Sequence, residues 1–126
     1  MHAIITVMGF DVAIDREAHH TRVTITGAPS IGQLLSLIHL VGVESEGWES
    51  DRVLVDLRGV ATLFSEQEQA RIGEEAAASL NHMSRIASVV PRERLTRISE
   101  RAARRDGTNV CVFDEERAAL AWLLAP

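Results

Sequence analysis

Asp56, Arg58, Ser65 and Glu66 are the residues of this chain whose types and spacing come nearest to a chemical site. A carboxylate and a guanidinium near a strand end can orient a polar ligand, or they can pair with each other and with nearby backbone. The structural pairing is the favoured reading. Ser65 brings a hydroxyl and Glu66 a carboxylate, but no His or Lys stands near them in sequence to serve as a base. Ser65 also opens Ser65-Glu66-Gln67-Glu68, the S-x-x-E spacing of a capping box. There the Ser hydroxyl accepts the third helical N–H, and the Glu reaches back to the cap's own N–H. Capping accounts for Ser65 fully and contributes about 1 kcal/mol.

Other chemistry is thinly represented. His19-His20, His39 and His82 show no H-x-x-x-H, H-x-H or Cys-paired spacing, so no metal site is expected. Cys111 is the single cysteine and lies in the apolar run Val110-Cys111-Val112-Phe113, where it behaves as a small hydrophobe. The chain has no G-x-S-x-G, no P-loop and no G-x-G-x-x-G. Nothing points to a cofactor or to catalysis.

The central element that must position these residues is Arg52-Val53-Leu54-Val55-Asp56-Leu57, an apolar run that reads as a strand buried on both faces. An irregular apolar connection, residues 58–64, leads to the capped helix. Upstream, residues 10–15 and 21–26 alternate apolar and polar, which predicts a hairpin with one face on the core. Its turn lacks Asn-Gly or Asp-Gly, so its loop is expected to exceed two residues. Pro29 suits the first turn of a helix whose apolar stripe runs from Ile31 to Val41. Residues 42–51 read as a surface loop.

Downstream of Ser65 the helix carries Ile72, Ala76, Leu80 and Met83 on one face, with Gly73, Ala77 and Ala78 close by. Small residues there permit close approach to a sheet or to another molecule. Residues 85–90 read as a buried strand ended by Pro91, followed by a third helix through about Arg105 with only Leu95, Ile98 and Ala102 as its stripe. Asp106-Gly107 stops that helix. Residues 110–113 form a last strand, and Asp114 is expected to cap a final helix with Glu115 and Glu116 in its first turn. The expected architecture is α/β: an N-terminal β-hairpin, then alternating strands and helices (ββαβαβαβα) in a mainly parallel five-stranded sheet with four helices.

Length and composition set the bounds. A chain of 126 residues fits a single domain, 1–126, and buries roughly two-thirds of its unfolded surface without staples. Net charge is −5, and all 13 basic residues are Arg. The start lacks a basic n-region and a long apolar run, so a cytoplasmic location is expected. Residues 91–105 hold six Arg against two Glu while the rest of the chain is acidic. Arg94, Arg97, Arg101 and Arg104 are therefore candidates for weak contact with anionic lipid or an acidic partner. A solvated outer face whose Arg stems cover the core's edge is the favoured alternative. Nucleic acid is excluded by the acidic balance and the absence of stacking aromatics on this helix.

Val53-Leu54-Val55-Asp56-Leu57-Arg58-Gly59-Val60 resembles the central strand of the STAS superfamily, the sulfate transporter and anti-sigma factor antagonist domains. The ending Val112-Phe113-Asp114-Glu115-Glu116-Arg117-Ala118-Ala119-Leu120-Ala121-Trp122-Leu123 is similar to that of the small bacterial SpoIIAA-like subgroup. Regulatory members of the superfamily carry Asp-Ser-Ser-Gly or Asp-Ser-Thr-Gly at the start of the second helix, where a kinase phosphorylates the second hydroxyl. Here the stretch is Phe64-Ser65-Glu66-Gln67, with Glu66 in that hydroxyl's place and the Asp and Gly missing. A fixed charge at a helix N-terminus is stable but cannot be switched. The resemblance therefore implies the fold and a non-catalytic binding surface, and leaves phosphoregulation behind.

Two kinds of partner follow. A protein partner, or a second copy in a homodimer, would meet Asp56, Arg58, Ser65, Glu66 and the small-residue helix. Alternatively, since such folds are similar to lipid-carrier domains, a small apolar ligand would lie among Phe64, Ile72, Leu80, Met83, Leu95 and Ile98. Those six residues also suit plain core.

Overall fold

Alternation of buried and solvent-facing residues builds the first half of the sheet. The computed structural model describes residues 2–7 and 9–126. Phe10, Val12 and Ile14 of β2 (Phe10–Arg16) and Val23 and Ile25 of β3 (Thr21–Gly27) are buried on one face. β2 and β3 pair antiparallel, and residues 17–20 form the longer loop that the missing tight-turn signal required. The preceding strand β1 (His2–Val7) pairs antiparallel with β2 from His2 opposite Asp15 to Val7 opposite Phe10. The sheet thus has six strands among the described residues, one more than expected. β1 carries apolar residues on both faces, so alternation did not reveal it.

Helix α1 (Ile31–Ser45) begins at Ser30, whose hydroxyl and Gln33 form a capping box; Pro29 lies just outside it. The chain then runs through β4 (Arg52–Val60), α2 (Glu66–Leu80), β5 (Arg85–Val89), α3 (Ile98–Arg105), β6 (Val110–Phe113) and α4 (Glu116–Leu123). Strands β3 to β6 are parallel and lie side by side in sequence order. Each crossover steps to the next strand in the same direction, so right-handed connections put α1, α2 and α3 on one face. These helices pack α1 on α2 and α2 on α3. The main core lies beneath them, from Phe10 and Val12 across Val53 and Ile86 to Val110 and Val112. Among the described residues helix α4 alone covers the other face, where Leu54, Ala87 and Val89 meet Ala119 and Leu123.

Three expectations about local structure are corrected. Helix α1 extends past Gly42 to Ser45, because Gly42 is where α2 crosses it: a Cβ there would overlap the Ser79 carbonyl oxygen. The third helix does not run unbroken from Pro91. Residues Arg92–Arg94 form one 3-10 turn, and Arg97, in the left-handed region at φ 63°, starts α3 afresh. Asp114 does not cap α4; Glu115 holds the cap position without a side-chain bond, and Asp114 lies 3.7 Å from the Arg92 guanidinium.

Gly73 plays at the α2–α3 crossing the part Gly42 plays at α1–α2, since a Cβ there would overlap the Ser99 carbonyl oxygen and crowd Ala102. Alanine normally gains a helix about 1 kcal/mol over glycine, but overpacking against backbone costs about 1–3 kcal/mol. Gly73→Ala is therefore expected to lower the urea midpoint, whereas the same change at exposed Gly32, which has open space around it, should raise it.

Candidate functional site

The start of α2 follows from its sequence. The Glu68 N–H donates to Ser65 Oγ at 3.1 Å, and the Ser65 N–H donates to Glu68 Oε1 at 2.9 Å, completing the capping box. Glu66, the first helical residue, is exposed. The loop before it is tied down by Thr62 Oγ1 donating to the Pro29 carbonyl (2.7 Å) and Gln69 Nε2 donating to the Phe64 carbonyl (3.0 Å). Between those ties Leu63 stands 75% exposed. An apolar side chain and two polar ones, Ser65 and Glu66, thus share an open ledge at the carboxyl end of β4.

Asp56 and Arg58 belong to a separate cluster. The β3–β4 ladder shifts register between Thr24 and Thr26, opposite Leu57 and Arg58. At that irregularity the Arg58 N–H bonds to Asp56 Oδ1 (3.0 Å), and its guanidinium donates to both Asp56 oxygens at 3.0 and 2.9 Å. Arg22 on β3 donates to Asp56 Oδ2 at 2.8 Å and to Glu116 of α4 at 2.7 Å, while Arg58 also reaches Glu116 at 2.9 Å. Two cations and two anions close a neutral network between the sheet and α4. Burial pushes the Asp56 carboxyl up, but the Arg58 hydrogen bonds and the charges of Arg58 and Arg22 outweigh it and hold the group below its usual range. Hydrogen bonding from Arg22 lowers Glu116 likewise, and the bond to Asp56 raises Arg58. Arg22 and Glu116 escaped the sequence reading. Their only signals were a charge on the polar face of β3 and an acid in the first turn of α4.

A cleft of about 230 Å³ opens behind the ledge, among the carboxyl ends of β4, β5 and β6 and helices α2 and α3. Leu57, Phe64, Ile72 and Val90 form its apolar wall, with Arg94 and Arg97 among the polar groups of its lining. A smaller cavity of about 60 Å³ lies deeper, shares Leu57 and Ile72 with the cleft, and reaches Leu80. Of the apolar set expected around a ligand, Phe64, Ile72 and Leu80 line these spaces. Met83, Leu95 and Ile98 do not: Met83 is buried beyond the end of α2, Leu95 packs against the core, and Ile98 sits on the first turn of α3. A wider polar depression of about 750 Å³, at the opposite end around Arg16, Glu49, Asp51 and Arg52, mixes both charge signs.

The arginines of residues 91–105 are mostly engaged. Arg94 donates to the Val60 carbonyl, Arg97 to Glu100 (2.9 Å) and to the Val112 carbonyl (3.3 Å), and Arg104 to the Val110 carbonyl (2.7 Å). Glu100 in turn accepts the Val112 N–H at 2.8 Å. Strand β6 is the edge of the sheet, so these side chains cap its outward backbone groups. Arg101 is exposed and makes no ion pair among the described residues. The uniform basic helix expected from the sequence is not formed. Among the described residues no group of three His, Cys, Asp or Glu is placed to hold a metal ion, and no helix is long and apolar enough to cross a membrane.

A mixed sheet in sequence order, three helices on one face and a fourth on the other, is a STAS-type α/β arrangement. The SpoIIAA-like family model matches residues 15–124, and the chain belongs to that family. Among solved structures it is similar to an anti-sigma factor antagonist from Mycobacterium paratuberculosis, at 14% identity and TM-score 0.63, covering 94% of this chain and 97% of that one. It is also similar to an uncharacterized DUF3478-family protein with a SpoIIAA-like fold from Shewanella loihica PV-4, at 17% identity and TM-score 0.57, covering 98% and 95%. At these identities the likeness establishes the fold. No curated protein matches the sequence.

Two outcomes are expected of this geometry. Ser65→Ala should cost about 1 kcal/mol in denaturation, because it strands the Glu68 N–H without its cap; an unchanged midpoint would contradict the capping role. Asp56→Asn should cost about 2 kcal/mol at neutral pH by weakening charge-assisted bonds to Arg22 and Arg58. Asp56 and Glu116 titrate below their usual range when folded, so their stabilisation is complete above about pH 4–5 and is lost as pH falls through the lowered folded values. Acid titrations of stability should accordingly be shallower in Asp56→Asn than in the parent.

Proposed function

We propose that this chain, read as one STAS-like domain over residues 1–126, is a non-catalytic regulatory or interaction module. It binds a protein partner at the ledge formed by Leu63, Ser65 and Glu66. The observation that carries the reading is the exposure of Leu63, held between two tethered neighbours beside a charged helix start. Apolar side chains ordered at the surface and rimmed by polar groups are what protein interfaces use as anchors. Glu66 supplies a permanent negative charge where the superfamily's switched members carry a phosphorylatable hydroxyl, so the interaction is constitutive. Asp56 and Arg58 act on this surface indirectly, by fixing β4 and α4, since their charges are neutralised within the network.

A second reading has its own observation. The apolar cleft and the deeper cavity share Ile72 and suit a small apolar or lipid-like ligand carried by the module. Leu63 borders that cleft as well, and Ile72→Trp would fill the space without replacing any ledge residue.

The test is co-purification from the native host with the parent, a Leu63→Asp/Glu66→Arg double variant and Ile72→Trp. The protein-partner reading expects a polypeptide retained by the parent and by Ile72→Trp but lost from the ledge variant. A polypeptide retained equally by all three, or one lost only from Ile72→Trp, would count against the ledge.

A further inference from the structure

The two edges of the sheet are treated differently, and the difference points to self-association. At β6 the outward backbone groups are occupied by Glu100, Arg97 and Arg104. At the other edge β1 touches only β2 among the described elements. Its sequence, His2-Ala3-Ile4-Ile5-Thr6-Val7, contains none of the devices that blunt an edge: no Pro, no Lys or Arg, no inward carboxylate. Ile4 is 63% exposed and Ile5 44% exposed, one on each face of the sheet, since Ile4 lies opposite Ala13 and Ile5 opposite the buried Val12.

The geometry points to a homodimer formed by antiparallel pairing of β1 with β1 of a second copy, centred on Ile4. Register supports this choice. The β1–β2 hairpin closes at Val7 opposite Phe10 across two residues. The closing pair of a two-residue hairpin exchanges both backbone bonds. Ladder bonds to β2 therefore fall at Val7, Ile5 and Ala3, and the N–H and C=O groups of Thr6, Ile4 and His2 point outward. A twofold axis normal to the sheet keeps each face on its own side, so outward residues must meet residues of the same parity. Centring on Ile4 meets both demands at once: Ile4 faces Ile4 of the second copy, and His2 faces Thr6. On the helix-bearing face the same register sets Ile5 beside Ala3 of the second copy, covering the half-exposed isoleucine. Because β6 is capped, the pairing stops at two copies and does not grow into a filament. β1 lies three strands from β4, so the dimer leaves the α2 ledge free.

Sedimentation equilibrium of the full chain tests this, with twice the 13.8 kDa chain mass expected. Ile4→Pro removes the outward N–H without touching the ladder to β2, and Ile4→Lys places a charge beside its own copy. Both are expected to return the mass to one chain while the circular dichroism spectrum stays that of the parent. In a Cys111→Ser background, Ile4→Cys is expected to form a covalent dimer on mild oxidation, and Thr6→Cys to form none, because Thr6 faces His2. A parent that sediments as a single chain up to millimolar concentration would overturn the inference. So would a dimer that survives both Ile4 variants, or cross-linking through Thr6→Cys in place of Ile4→Cys.

Discussion

Strand β4 is buried on both faces, and it carries a carboxylate. Val53 and Leu54 are fully buried on opposite sides of the sheet, and Asp56 follows on the α4 side with 7% of its surface exposed. An unpaired carboxylate in such a place costs several kcal/mol. The chain resolves the conflict by bringing Arg22 from the neighbouring strand and Arg58 from across a ladder irregularity, and by balancing both with Glu116. Since Glu116 opens α4, the neutralisation of one buried charge also sets where the helix on that face begins. Below it, apolar contact takes over, with Leu54 against Ala119 and Leu123. Polar pairing supplies position there, and hydrophobic burial supplies most of the free energy.

On the other face the governing constraint is close approach. Glycines at the two helix crossings let α1, α2 and α3 sit side by side. Where α3 shortens to eight residues and the chain bends through Arg97, the layer opens and leaves the cleft behind Phe64. The arginines of this segment then serve the backbone: three of them, Arg94, Arg97 and Arg104, donate to strand carbonyls. The favoured expectation of an outer face whose Arg stems cover the core's edge matches Arg97 and Arg104, which bond to the edge strand β6, while Arg94 bonds to the end of β4.

Much of this was legible in the residues. Alternation revealed β2 and β3, an apolar run revealed β4, the S-x-x-E spacing placed the start of α2, and two short segments carried the resemblance to the family that residues 15–124 match. What escaped depended on partners distant in sequence or on backbone geometry. Arg22 and Asp56 are 34 positions apart, and Arg58 and Glu116 are 58 apart, beyond any local pattern. Periodicity placed one helix over 91–105 because it does not register a left-handed Arg97 held by Glu100 and the Val112 carbonyl. Asp114 looked like a cap, yet its carboxylate lies toward Arg92 instead. In β1 the apolar Ile4 stands between His2 and Thr6 on the otherwise polar face, which breaks the alternation. Phe64, Ile72 and Leu80 line the cleft or the cavity beneath it, while Met83 and Leu95, outside the helices, pack with the core and Ile98 lies half-buried on the first turn of α3.

The proposed protein-binding ledge lies at the start of α2, just past the end of β4, where Leu63 and Glu66 are exposed. Native mass spectrometry of the protein purified gently from its own host addresses that claim most directly. A complex whose mass exceeds that of the chain or its dimer by a second polypeptide is the predicted result. A chain that carries only a small molecule of defined mass would contradict it and move the function into the cleft.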